Sequence, residues 1–393
     1  MTRVLRWIGE PILAGGLSIG MLALLLAVSG YPVTDSLSAL WGGAFGSWSV
    51  LASGTLVRAT PLLFAGLAVA LAFRAGILNI GAEGQLMMGA TAATAVAMTL
   101  PATSGMAGLA LALSAGVVAG GFWAAVAGFL RQRFGVLEVI STIMLNVVAV
   151  NVTGLLVRGP LQEPTHVFPQ SEMLDAALRL PKLVSGTRLH AGVALAVICA
   201  LTLAWFLRAT AAGFRLRMTG ANPRAAASAG GIDVARVSLL AFIASGALAG
   251  LGGAVEVTGV TYALYENLSP GYGFTAIAVA LLARLNPVSA IGSALVFGAL
   301  EAGASAMQRD AQVPAGLVEV VEACVILVLV ASEWIGGRGG RVRSLSWGGP
   351  PSTGHSGSSE LNEPTRLTEA TSAEPNHSVS TLDARRSSPG VST

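Results

Sequence analysis

The chain has 393 residues, 53% of them apolar and only 11% Asp, Glu, Lys or Arg. A soluble domain carries about 25% charged residues, so there is too little polar material here to cover two or three soluble cores. The net charge of +3, from 23 basic and 20 acidic residues, is too balanced for a nucleic-acid binder, and a mean hydropathy of +0.71 fits an all-α polytopic membrane protein.

Crossing about 30 Å of hydrocarbon takes about 20 mostly apolar residues. Such runs extend over Pro11 to Gly30, Val57 to Phe73, Glu83 to Leu100, Met106 to Leu130 and Leu137 to Val157. Further runs cover His190 to Leu207, Val237 to Gly259, Phe274 to Ala283, Pro287 to Met307 and Ala315 to Ala331. These predict about ten transmembrane helices. Phe274 to Ala283 is short for a span and reads equally as a broken or re-entrant helix held against protein. The first run lacks a small-x-small cleavage site leading into a soluble domain, so it is expected to stay in the membrane. With the N-terminus inside, fourteen arginines fall on the cytoplasmic side, while five arginines and Lys182 fall on the other, as the positive-inside rule requires. The transmembrane region is expected over 1–343. Residues 344–393, rich in Ser, Thr, Pro, Gly and Glu, read as a disordered cytoplasmic tail.

Gly16 and Gly20, Gly116 and Gly120, and Gly246 and Gly250 are four apart, the spacing that lets helix backbones approach in lipid. Gly16-Leu17-Ser18-Ile19-Gly20 also matches a nucleophile-elbow pattern, but mid-span it lacks the strand-turn-helix context that chemistry needs. Ala68 to Arg74 echoes Ala278 to Arg284, which hints at two related halves. Cys199 and Cys324 lie in separate apolar stretches without CxxC spacing, so neither a disulfide framework nor a metal site is expected.

Three polar interruptions carry the functional reading. Phe73 to Gln85 mixes helix-disrupting Gly76, Gly81 and Gly84 with Asn79, Glu83 and Gln85. Irregular backbone at membrane depth survives only against protein or a water-filled cavity; a cytoplasmic turn, with Glu83 favoured by the helix dipole, is the other reading. In the run from Leu137, Glu138, Thr142, Asn146 and Thr153 fall within an arc of roughly 80°, with Asn151 pointing away. That stripe is expected to face the bundle interior, unless Glu138 merely sits at the helix end. The stretch Arg208 to Arg236 reads as a loop holding one short helix, with Asn222 as N-cap, Pro223 at the first position, Ala225 to Ala229 propagating and Gly230 ending it.

The runs FRAGILNIGAEGQ, LEVISTIMLN, GFRLRMTGANPRAAASAGGI and GYGFTAIAVALLARLNP together resemble the membrane permease subunits of bacterial ABC importers. The superfamily is that of branched-chain amino acid and simple-sugar permeases, and the likeness is greatest to its nucleoside and simple-sugar branch. The resemblance covers residues 55–335 in the expected order. It implies a homodimer or heterodimer of permeases in the cytoplasmic membrane, two ATPase subunits that carry ATP and Mg, and an extracytoplasmic binding protein or lipoprotein. It further implies that Gly220, Asn222, Pro223, Ala225, Ala226 and Gly230 form a cytoplasmic coupling helix against the ATPase. No phosphate-loop sequence is present in the chain, so it is expected to bind no cofactor and to be no enzyme. Asn79, Glu83, Gln85, Glu138, Thr142 and Asn146 are the expected substrate-pathway residues, since a polar solute needs hydrogen-bonding partners in an apolar wall. The alternative is an ion-coupled secondary transporter that uses Glu256, Glu301, Glu319 and Glu322 as proton sites. An intramembrane hydrolase is disfavoured because the four histidines form no H-E-x-x-H.

Overall fold

The computed structural model describes residues 19–314 throughout, together with Gly16, Gly316, Leu317, Glu319, Val320, Ala323, Cys324, Leu327 and Val328. Most of the predicted run from Ala315 and all of 344–393 lie outside the described residues, as does Glu322. Within them the chain is all-α, and the extended pairings are two isolated bridges, Gln170 with Tyr265 and Lys182 with His190.

The helices are α1 (Ile19–Val28), α2 (Val33–Phe45), the single turn α3 (Trp48–Val50), α4 (Leu56–Arg74), α5 (Ala82–Thr99), α6 (Gly105–Phe134) and α7 (Glu138–Val157). After a long loop come α8 (Gly192–Ala209), α9 (Ala211–Ala221), α10 (Pro223–Gly230), α11 (Val234–Glu256), α12 (Tyr272–Leu282) and α13 (Pro287–Asp310). Among the described residues, six helices are long and apolar enough to cross a membrane: Trp48–Arg74, Ala102–Phe134, Glu138–Val157, Gly192–Ala209, Val234–Thr261 and Pro287–Asp310. Helices α1 and α12 are apolar but shorter. Helix α5 has 18 residues, yet its polar first turn and its threonines keep it out of the six.

Two elements differ from the expectation. Helix α2 occupies a stretch without a long apolar run; it forms because Gly43 lies against Ala306, and Gly303 of α13 against the Leu40 backbone, so a Cβ at either glycine would overlap its neighbour. The stretch Arg208 to Arg236 holds two helices, α9 and α10, in place of one. Thr210 caps α9 by accepting from the Gly213 N–H at 3.0 Å, a start signal hidden among arginines.

Helix α4 forms the centre, with nearly every residue from Val57 to Ala72 buried, and α11 packs between it, α5 and α6. Small residues set those distances. A Cβ at Gly89 of α5 would overlap the Gly250 backbone, and one at Gly120 of α6 would overlap the Gly246 carbonyl. Two of the three glycine pairs therefore meet each other across one α6–α11 seam. The third, Gly16 with Gly20, has nothing within 4 Å of either position among the described residues. The echoed segments end two helices that pack together, with Gly66 of α4 against Val279 of α12.

Candidate functional site

The break between α4 and α5 is held by a polar knot. Gly76, at φ +76°, turns the chain, and fully buried Asn79 then satisfies the irregular backbone. Its amide donates to Gln85 Oε1 at 3.0 Å and to Ser245 Oγ at 2.9 Å. Its carbonyl accepts from the Gly81 N–H at 2.9 Å and from Gln85 Nε2 at 3.1 Å. Ser245 passes the network on by donating to the Ala68 carbonyl of α4 at 2.7 Å. Asn146 of α7 does the same from the other side: it accepts from the Gly84 N–H and donates to the Ile80 carbonyl, both at 2.9 Å. No buried side-chain polar atom of this break lacks a partner, as burial demands.

Glu83 reaches further. Its carboxylate accepts from the Gly273 N–H at 2.7 Å in the first turn of α12. Gly273 sits so close that a Cβ would overlap the Glu83 backbone. A charge-assisted bond to a helix N-terminus therefore fixes where α12 begins. On α7, Thr142, Asn146 and Thr153 are buried while Asn151 is exposed, so the stripe does face inward. Thr142 is spent on its own helix, donating to the Glu138 carbonyl at 2.7 Å. Glu138 lies 3.4 Å from Arg131 Nη1 at the end of the bundle.

None of these six residues lines the large cavity. A cavity of about 660 Å³ opens instead at the other end of α4. Ser53 borders it from just before α4 and Arg58 from the first turn of α4, Glu256 from the end of α11 and Thr261 from just after it, and Tyr265, Tyr272 and Thr275 from the entry to α12. Glu301, Ser305 and Gln308 of α13, with Glu319, complete the wall, and the long loop contributes Arg188. The loop is fixed onto the segment after α11: the N–H groups of Ser171, Leu174 and Leu180 donate to the carbonyls of Leu264, Tyr262 and Thr258 at 2.7 to 2.9 Å. Within it, Glu163 accepts from Gln170, Thr165 and the Phe168 N–H, which holds its carboxyl below the usual range, the Gln170 bond contributing most.

Two π-helical segments, Leu51–Thr55 and Val257–Thr261, face the cavity with Ser53, Val260 and Thr261. Such widened turns occur mostly as single-turn bulges inside α-helices, frequently at functional sites. Tyr262 ends the second at φ +58°, unusual for an aromatic residue, with the Arg179 guanidinium 4.6 Å from its ring. Sequence reasoning placed Glu256, Glu301 and Glu319 only in an alternative reading and missed Arg58, Arg188 and the tyrosines. The available signal was an ionisable residue inside an apolar run, as at Arg58 and Glu256.

At the Arg74 end lies α10. Asn222 Oδ1 accepts from the Ala225 N–H at 3.1 Å, Pro223 takes the first turn, and Gly231 rather than Gly230 closes the helix in the left-handed conformation at φ +57°. Six of its eight residues are exposed, and Ala226 is buried. Gly220 lies against the Arg74 and Gly76 backbone, so α9, α10 and the α4–α5 break share one end of the bundle. No cluster of His, Cys, Asp and Glu capable of holding a metal occurs among the described residues.

An all-helical bundle with several apolar spans, a polar cavity at one end and a capped, exposed helix at the other has the build of a multi-pass membrane transport subunit. The chain belongs to the family described as branched-chain amino acid transport system / permease component, which matches residues 51–331. It is 42% identical to the glucose ABC transporter permease protein TsgB13 of Haloferax volcanii over 291 residues, covering 71% of this chain and 76% of that protein. It is 37% identical to the guanosine ABC transporter permease protein NupP of Bacillus subtilis over 336 residues, 84% of this chain and 95% of that protein. The nucleoside ABC transporter permease protein NupB of Lactococcus lactis is 29% identical over 338 residues, 84% of this chain and 92% of that protein. The chain is accordingly an ABC permease, a transport subunit and not an enzyme.

Proposed function

We propose that this permease moves a nucleoside or a simple sugar inward across the cytoplasmic membrane, driven by separate ATPase subunits that bind ATP and Mg. The observation that carries the reading is the opposition of a polar cavity and a capped helix on one bundle. The relatives named for glucose, guanosine and nucleoside transport supply the substrate class. Asn222, Pro223 and Ala225 present the ATPase contact with Ala226 buried behind them, Gly220 seats α9 against α4, and Gly230 is the last residue before Gly231 closes the helix. A second permease, a copy or a related chain, and an extracytoplasmic binding protein or lipoprotein complete the importer. The arginine asymmetry of the sequence supports ten crossings with both termini cytoplasmic.

In this reading the six expected pathway residues act mainly on the gate. Asn79, Gln85 and Asn146 hold the broken backbone, Glu83 holds the start of α12, and Glu138 and Thr142 anchor the cytoplasmic end of α7. Closure of the ATPases would move α9 and α10 as a unit, and the shared Gly76–Gly220 contact passes that motion to the break. Uptake of a labelled nucleoside and sugar panel in cells lacking the chain tests the cargo. Loss of one class, restored by the wild-type chain, is the expected result; unchanged uptake of every member would refute it.

A further inference from the structure

Glu256 is 4% exposed, lines the cavity, and accepts no hydrogen bond from any described residue. The two cationic neighbours direct hydrogen bonds elsewhere. Arg58 donates to Ser305 Oγ at 3.1 Å, and Arg188 donates to the Val260 carbonyl at 3.5 Å. A carboxylate lining a cavity offers two adjacent acceptor oxygens and no donor, which the donors of a solute can match. The π-helical segment that follows, Val257–Thr261, sets Glu256 at the widened end of α11.

The charges around it restrict what can bind. The wall carries both signs, so a cation meets Arg58 and Arg188 and an anion meets Glu256, Glu301 and Glu319, each repulsion offsetting the attraction of the other set. A neutral solute rich in hydroxyl or N–H donors meets neither penalty. Tyr265 and Tyr272 add aromatic faces to the same wall, suited to a flat ring or to the C–H face of a sugar. The volume, about 660 Å³, is in the range of small-molecule sites, roughly 300 to 1,000 Å³.

We propose that Glu256 is the specificity-determining residue of the permease, its carboxylate accepting hydrogen bonds from two adjacent hydroxyls of a neutral ribosyl or pyranosyl solute within the cavity. This rests on the nucleoside-or-sugar reading above. Selection then occurs in the membrane as well as in the binding protein.

The test compares uptake of the transported solute with uptake of its monodeoxy counterpart, in cells carrying the wild-type chain or Glu256→Gln with the same binding protein and ATPases. Any preference of the binding protein is common to both, so the change in the ratio isolates the permease. Losing a charge-assisted bond is expected to lower the preference for the hydroxylated solute about tenfold or more. An unchanged ratio at normal membrane abundance overturns the proposal, as does a Glu256→Gln chain that is abundant and assembled yet carries neither solute, since Glu256 would then be a general requirement. Should Glu256→Gln fail to reach the membrane, Glu256→Asp replaces it. That variant keeps the carboxylate and should keep the preference at a lower rate, whereas loss of the preference, or loss of uptake of both solutes, would overturn the assignment. A wild-type chain that carries no nucleoside or sugar sinks the earlier reading instead, and is seen before any variant is made.

Discussion

Asn79 shows how a single side chain holds irregular backbone inside an apolar bundle. It spans Gly81, Gln85 and Ser245 with four hydrogen bonds, so Asn79→Ala leaves several buried groups unmatched, at a cost of about 3 kcal/mol. Lower detergent-solubilised thermal stability together with lost uptake is expected; thermal stability equal to wild type would show the knot to be dispensable. Asn146→Ala removes two bonds to the backbone around α5. It should cut uptake about tenfold, equivalent to about 1.4 kcal/mol, while ATPase co-purification stays unchanged. These polar residues were legible from sequence because they interrupt apolar runs. Their partners were not, since Ser245 is 166 positions from Asn79.

The helices themselves were legible where one apolar run makes one rod, as in Glu138–Val157 and Gly192–Ala209. Helix α2 escaped notice because glycines and polar residues break its hydropathy; it is stabilised by close approach to α13, a tertiary effect. The α6–α11 seam makes the same point through glycine spacing, which marked three pairs without telling which would meet. Gly250→Leu forces a side chain into the Gly116 and Gly120 backbones, a cost of about 3 kcal/mol or more, and should abolish folded protein in the membrane. Gly20→Leu, with no described residue within 4 Å of the added Cβ, should be accumulated normally; equal loss of both would contradict this packing. For α10, Asn222→Ala removes an N-cap at a cost of about 1 kcal/mol. Weaker ATPase association at normal permease abundance is the expected outcome, and undiminished association would separate α10 from coupling.

For the whole molecule, one rod joins the cavity to the α9–α10 end: α4 runs from Arg58 at the cavity to Arg74 beside Gly220. The cavity was the least legible feature, because its wall is drawn from five separated stretches of chain and no single helix face carries it. Transport by such a bundle needs an energy source outside it, and that dependence is the central claim. The direct measurement is solute accumulation in proteoliposomes holding the permease, its ATPases and the external binding protein, with ATP and Mg sealed inside. Accumulation that requires lumenal ATP, and that collapses when Asn222 and Pro223 are both replaced by glycine, is predicted. Accumulation that follows an imposed ion gradient without ATP, undiminished by that replacement, would contradict the account and return Glu256, Glu301 and Glu319 to the role of proton sites.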